Sequence, residues 1–158
     1  MRSIFIFVLS LALLGCQATP SHTEQDKELL GVVSPQELLQ ANSGFAQSYH
    51  SYQPSEDELT AVKLLEGKSL TILFGTWCHD SEREVPRLLK ILDMAQGQLT
   101  ELRLIAVNHN KQEPSGIYQS LELRYTPTFV LFDGTKELGR VVERPQRSLT
   151  EDLAALLN

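Results

Sequence analysis

Cysteine is nearly absent from this chain: Cys16 and Cys78 are the two in 158 residues. Zinc sites need two or more close Cys/His pairs, and the sequence has no such set. Cys78 and His79 are neighbours, and adjacent side chains rarely converge on one ion. Cys78 with His109 is the one pairing left for copper, so no metal and no cofactor is expected. Basic residues are also few, 14 Lys plus Arg against 20 Asp plus Glu, a formal net charge of −6. An acidic chain with no basic cluster argues against nucleic acid and against an electrostatic grip on anionic lipid. Internal repeats and low-complexity tracts are missing. The one sizeable apolar run, Ile4 to Leu14, is about half the ~20 residues a helix needs to cross a bilayer, so a permanent span is not expected.

What is present begins at the N-terminus. Met1-Arg2 gives a positive start, the apolar run follows, and Leu13-Leu14-Gly15-Cys16 closes it, in the order of a signal peptide. An ordinary secretory signal and a buried hydrophobic helix are the alternatives. The last four residues resemble the lipobox of bacterial lipoproteins, in which the cysteine becomes the diacylated first residue of the mature chain. That resemblance implies that residues 1–15 are a lipoprotein signal peptide, that Cys16 carries lipid such as palmitate, and that Cys78 is the only thiol left. Gln17 in place of Asp implies, by likeness to enterobacterial lipoproteins, the outer membrane over the inner. Two or more acyl chains anchor stably, so the expected place is the periplasmic face of the cell envelope, with the membrane a partner through lipid.

Residues 16–34 are the lipidated cysteine and a polar segment, poor in branched and aromatic residues, that reads as a flexible tether. Residues 35–158, about 120 in all, suffice for one domain with one core. Ser34-Pro35-Gln36-Glu37 has a hydroxyl N-cap, Pro at the first helical position and Glu three after the cap, so a short helix is expected to about Ala41. Phe45, Tyr49 and Tyr52 fit either a helix or a strand. Ser55 to about Glu66 reads as a helix with acids at its N-terminus and Leu59, Val62, Leu64 and Leu65 as its buried stripe.

Ser69 to Phe74 is an apolar run of buried-strand type, and it delivers Cys78 to the start of the next helix. That helix runs to about Ala95 with Pro86 inside it. Leu102 to Asn108 reads as a second strand and Ser115 to Leu123 as a short helix. Thr128 to Phe132 and Glu137 to Val142 are joined by Asp133-Gly134-Thr135-Lys136, a hairpin signal. Ser148-Leu149-Thr150-Glu151 opens a final helix with Leu153, Leu156 and Leu157 inward.

From Ser69 onward the chain resembles thioredoxin. Trp77-Cys78 follows a buried strand, Pro86 lies eight residues after Cys78, Thr126-Pro127-Thr128 precedes an apolar strand, and a hairpin and helix close the domain. The likeness implies an α/β fold: a central mixed four-stranded sheet in the order 102–108, 69–74, 128–133, 137–142, with helices on both faces, to which the helices read before Ser69 add an N-terminal helical extension. It also implies a cis peptide at Pro127, packed opposite Cys78. The departures matter equally. Ser81 stands where the second, resolving cysteine belongs. Ile72 replaces a buried Asp thought to relay protons to that sulfur, and Ala106 replaces the lysine that partners it.

A cysteine at a helix start meets unpaired N–H groups and the positive end of the helix dipole, which favour the reactive thiolate, while Asp80, Glu82 and Glu84 crowd the same turn with opposing charge. The bland alternative is an inert cysteine in a core. Ser81 either hydrogen-bonds the sulfur or is a plain polar residue of the helix start. His79 either steadies a thiolate as imidazolium or lies idle on the surface. His109, by resemblance, contacts substrate. Trp77, Tyr125 and Thr126 flank a groove where an extended peptide can pair, and Glu143 and Arg144 form its far lip or a weak exposed ion pair. Peroxide reduction at a single thiolate is a further chemistry, but the Pro and Thr pattern ahead of a peroxiredoxin's cysteine is missing.

Two classes of function follow. One is a tethered thiol-disulfide oxidoreductase of monothiol type, with Cys78, Ser81 and Pro127 at its centre. Its partner would be a disulfide-bearing or oxidised-thiol envelope protein, or a small thiol, with an external reductant. The other is a non-catalytic binding module for an envelope protein.

Overall fold

Leu70, Ile72 and Phe74 alternate with Thr71 and Leu73 along a strand buried on both faces, and everything else in the molecule is arranged about it. The computed structural model describes residues 27–96 and 98–158, and the expected signal peptide, the expected lipidation at Cys16 and residues 17–26 of the expected tether lie outside the described residues. Within them the chain forms β1 (Gly31–Val33), α1 (Pro35–Ala41), α2 (Ser43–Ser51), α3 (Glu56–Lys63), β2 (Ser69–Phe74) and α4 (His79–Ala95). It continues through β3 (Glu101–Ala106), α5 (Ile117–Ser120), β4 (Thr128–Asp133), β5 (Lys136–Val142) and α6 (Leu149–Ala155).

The sheet has five strands in the order β1-β3-β2-β4-β5. The four-stranded expectation gives the inner order correctly and omits β1. Gly31 pairs with Ala106 and Val33 with Leu104, antiparallel, so the end of the expected tether belongs to the sheet. Three residues are too few to show an alternating pattern, and the polar residues before them hide the strand. The β2–β3 pair is parallel and the β2–β4 and β4–β5 pairs antiparallel.

Helices cover both faces. Leu70, Ile72, Phe74, Leu104, Phe129 and Leu131 pack with Leu38, Phe45, Val62, Val85, Leu88 and Leu153. On the other side Leu73, Ile105 and Val130 meet Ile117, Tyr118 and Leu121. Fully burying side chains of this kind stabilises by about 1.5–3 kcal/mol each. Phe45 and Phe74, both fully buried, meet with ring centroids 5.8 Å apart. This contact explains why the ambiguous segment is helix α2: it lays one apolar ring on the central strand and leaves its polar residues outside.

The caps that the sequence implies at Ser34 and Ser148 form, Glu37 N–H donating to Ser34 Oγ and Glu151 N–H to Ser148 Oγ. Ser55 and Glu58 add a full reciprocal box at the start of α3, where only acids at a helix N-terminus were expected. Leu64 departs from its expected place in the buried stripe. The helix ends at Lys63, and the following turn leaves Leu64 60% exposed while Leu65 is buried.

Candidate functional site

Phe74 ends β2 in the core, and the four residues after it turn the chain into α4. Cys78 N–H donates to the Gly75 carbonyl at 3.0 Å, and Glu82 N–H donates to the Cys78 carbonyl at 2.9 Å, the first turn of the helix. Cys78 is therefore the N-cap of α4, with extended backbone and no hydrogen bond from its side chain to the helix N–H groups. It is half-buried, and it is the free cysteine among the described residues. The sulfur is therefore not enclosed in the core.

The Cys78 Sγ–H donates to the carbonyl of Thr126 at 3.2 Å. The next peptide, Thr126-Pro127, is cis, as the resemblance implies. Pro127 is buried and has no N–H, while its carbonyl accepts from Glu143 N–H at 2.8 Å. Thr128 Oγ1 donates to the Tyr125 carbonyl at 2.7 Å, which pins the loop from the other side. Cys78, Thr126 and Pro127 thus meet, and Tyr125 stands at the rim, 55% exposed.

Ser81 is fully buried, and its hydroxyl accepts from Gly75 N–H at 3.3 Å. Its role is to tie the strand-to-helix turn to the helix. Of the two readings of Ser81, a bond to the sulfur or a polar residue of the helix start, the structure gives a hydroxyl bonded to backbone, and the sulfur's own bond goes to Thr126. Gly75 is required by a close approach: a Cβ there would come within 2.4 Å of the Trp77 ring. The indole consequently folds over the turn, donates from Nε1 to the Val107 carbonyl at 3.1 Å, and stacks on His109 with centroids 4.5 Å apart. His109 is on an ordered loop in which Asn108 Oδ1 accepts from Gln112 N–H and Glu113 accepts from Ser115 and Ile117 N–H. Burial pushes the Glu113 carboxyl up, but the hydrogen bonds from Ser115, Tyr118 and Ile117 outweigh it and hold it below its usual range.

The acids of the first turn are compensated, which corrects the expectation of uncancelled negative charge. Asp80 meets Arg83 at 2.9 Å and Arg144 at 3.0 Å. Glu84 meets Arg83 at 2.6 Å. Burial pulls the Arg83 guanidinium down, yet its bonds to Glu84 and Asp80 outweigh that and leave it above its ordinary value. Glu82 leans over Gly44 in the first turn of α2, where the helix dipole favours an anion. Arg144 therefore pairs across the groove with Asp80, not with its neighbour Glu143, whose backbone is left-handed at φ 57°. His79 is exposed on the outer side of the first turn.

Two hollows flank the thiol's turn. A cleft of about 210 Å³ is lined by Lys27, Glu28, Asn42, Thr76, Trp77, Glu82 and His109. A groove of about 520 Å³ lies beyond Tyr125, between Glu122, Arg124, Thr128, Arg140 and Val142. Arg124, Arg140 and Val142 carry no motif that sequence reasoning could have used. Ile72 and Ala106 are fully buried among apolar neighbours, so no ionisable pair underlies the site at those two positions.

Among solved structures, a protein of unknown function from Pseudomonas aeruginosa is similar at 18% identity, over 73% of this chain and 82% of that one, with a TM-score of 0.54. Mitochondrial thioredoxin 3 from Saccharomyces cerevisiae is similar at 20% identity, over 60% of this chain and 86% of its own, with a TM-score of 0.37. Among curated proteins none matches the sequence. The thioredoxin family model matches residues 36–154, from the first helix to the last, and the chain belongs to the thioredoxin family.

Proposed function

We propose that this chain exchanges disulfides through Cys78 alone, while lipid on Cys16 holds it to the periplasmic face of a cell envelope, in the outer membrane. The observation that carries the reading is the Cys78 thiol, half-buried at the start of α4 and bonded to the carbonyl just before cis-Pro127. An incoming disulfide would reach the sulfur beside backbone groups of Tyr125 and Thr126 that an extended peptide can pair with.

In the first step the Cys78 thiolate attacks one sulfur of a client disulfide. A Cys78–client disulfide forms, the client's S–S bond breaks, and the expelled client sulfur leaves with the electron pair and takes up the proton that Cys78 gave up. Ser81 carries no sulfur, so release needs an outside thiol. One small thiol frees the client and remains on Cys78; a second restores Cys78 and departs with the first as a small disulfide. Electrons thus pass from two small thiols to the client.

The binding-module alternative draws on the Ser81 hydroxyl, which is engaged with backbone and gives the sulfur no help. Envelope extracts quenched with acid and alkylating agent separate the two readings. Adducts on Cys78 that reductant releases, absent from Cys78→Ser, support exchange. A partner that co-purifies equally with Cys78→Ser, with no adduct on wild type, overturns it in favour of binding.

A further inference from the structure

The strand that the sequence hides decides where the tether leaves the domain. Gly31 of β1 pairs with Ala106 of β3, and Ala106 lies opposite Phe74 of β2. Phe74 is followed directly by Gly75, Thr76, Trp77 and Cys78, so the chain joins the sheet at the same end from which the thiol projects. Upstream of β1, Lys27 N–H donates to the Ala41 carbonyl at 3.0 Å, fixing the first described residue. Lys27 and Glu28 then form one wall of the cleft whose other wall is Trp77 and His109. The hairpin tip around Gly134 is at the opposite end, since Ser69, the first residue of β2, pairs with Phe132.

Eleven peptide steps separate Cys16 from Lys27. Whatever their conformation, they reach at most about 40 Å. A domain of this size is roughly 35–40 Å across. A leash about as long as the body it holds, attached beside the thiol, confines that end to within about 40 Å of the lipid surface, while the hairpin end, a body's width further on, ranges out to roughly 75–80 Å. The acidic surface adds no attraction to anionic lipid that would lay the domain on its side.

We infer that the thiol end of the domain faces the membrane, and that its partners are disulfides or oxidised thiols presented close to that surface, on lipid-anchored or membrane-embedded proteins. The inference rests on the proposed anchor at Cys16. It selects among clients by height above the bilayer and not by side-chain recognition, and it assigns the cleft beside Trp77 to the membrane side.

The test uses the full lipidated chain reconstituted in phosphatidylcholine vesicles that carry an acceptor dye on a fraction of the headgroups. One sample bears a donor on Cys78; a second bears it on the hairpin, as Cys78→Ser with Thr135→Cys. With the labels at opposite ends of the domain, energy transfer from Cys78 should exceed that from position 135 by roughly twofold or more. Co-flotation with equal transfer from both, or with more from the hairpin, overturns the inference while leaving the anchor intact. A chain that does not float with the vesicles overturns the anchor and the inference together.

Discussion

Helices α3 and α4 both start from a residue with extended backbone, and the two starts are built oppositely. At α3, Ser55 accepts from Glu58 N–H while the Glu58 carboxylate accepts from Ser55 N–H, so the side chains close on themselves. At α4, Cys78 gives nothing to the helix N–H groups and turns its sulfur to another loop, at Thr126. The first arrangement spends its polar groups on stability. The second leaves the first helix N–H groups without a side-chain cap, and stability at that joint comes from Ser81, Gly75 and the ion pairs of Asp80 and Glu84.

Cys78→Ser puts the same residue at both starts and should give the largest effect. Maleimide labelling and mixed-disulfide formation should vanish, while the melting temperature holds or rises, a serine cap being worth up to ~1 kcal/mol. A large drop in melting temperature would mean that the sulfur is structural. Ser81→Cys restores a second thiol one helical turn away, within the separation a disulfide requires. It should form an internal disulfide under mild oxidation and reduce insulin with catalytic reductant, where wild type is poor. The buried apolar Ile72 should keep it slower than a dithiol enzyme. Failure to form that disulfide in a native fold would show that position 81 is not the resolving position.

Gly75→Ala drives a methyl into the Trp77 ring and should cost about 1–3 kcal/mol by denaturant melt, with altered labelling at Cys78. Ser55→Ala removes the box at α3 and should cost ~1 kcal/mol with labelling unchanged. The smallest effect concerns tyrosines that brace the helices near α3. The bond to Asp93, with burial and that same charge, pushes Tyr49 up to about 12 from 10.0. Burial and the bond to Glu58 raise Tyr52 as well. A raised value means the folded state holds the proton more tightly, so this stability is complete below pH 10 and fades as pH climbs toward 12. The melting temperature should fall in that window, and Tyr49→Phe should flatten the fall.

The inner four strands, the caps at Ser34 and Ser148 and the helix after Cys78 were legible because each is written in contiguous residues, and the cis bond at Pro127 followed from the resemblance that Thr126-Pro127-Thr128 helps to carry. β1 was not, since Gly31, Val32 and Val33 acquire meaning only against Leu104 to Ala106. The same holds for the site. Cys78 and Pro127 announce themselves by local motif. The Asp80–Arg144 pair joins residues 64 apart in sequence, and the stack of Trp77 on His109 needs a loop ordered by Glu113. Ser81 could be read as lacking sulfur, but not as holding Gly75 N–H, which depends on how the turn folds back.

The chain has one tryptophan, and it is the ring that lies over Gly75 and against His109. Indole emission, excited at the red edge where tyrosine does not absorb, therefore comes from a single place, one residue from the sulfur. Adduct formation or release at Cys78 can be timed by fluorescence on unlabelled protein, with no second indole to dilute the signal.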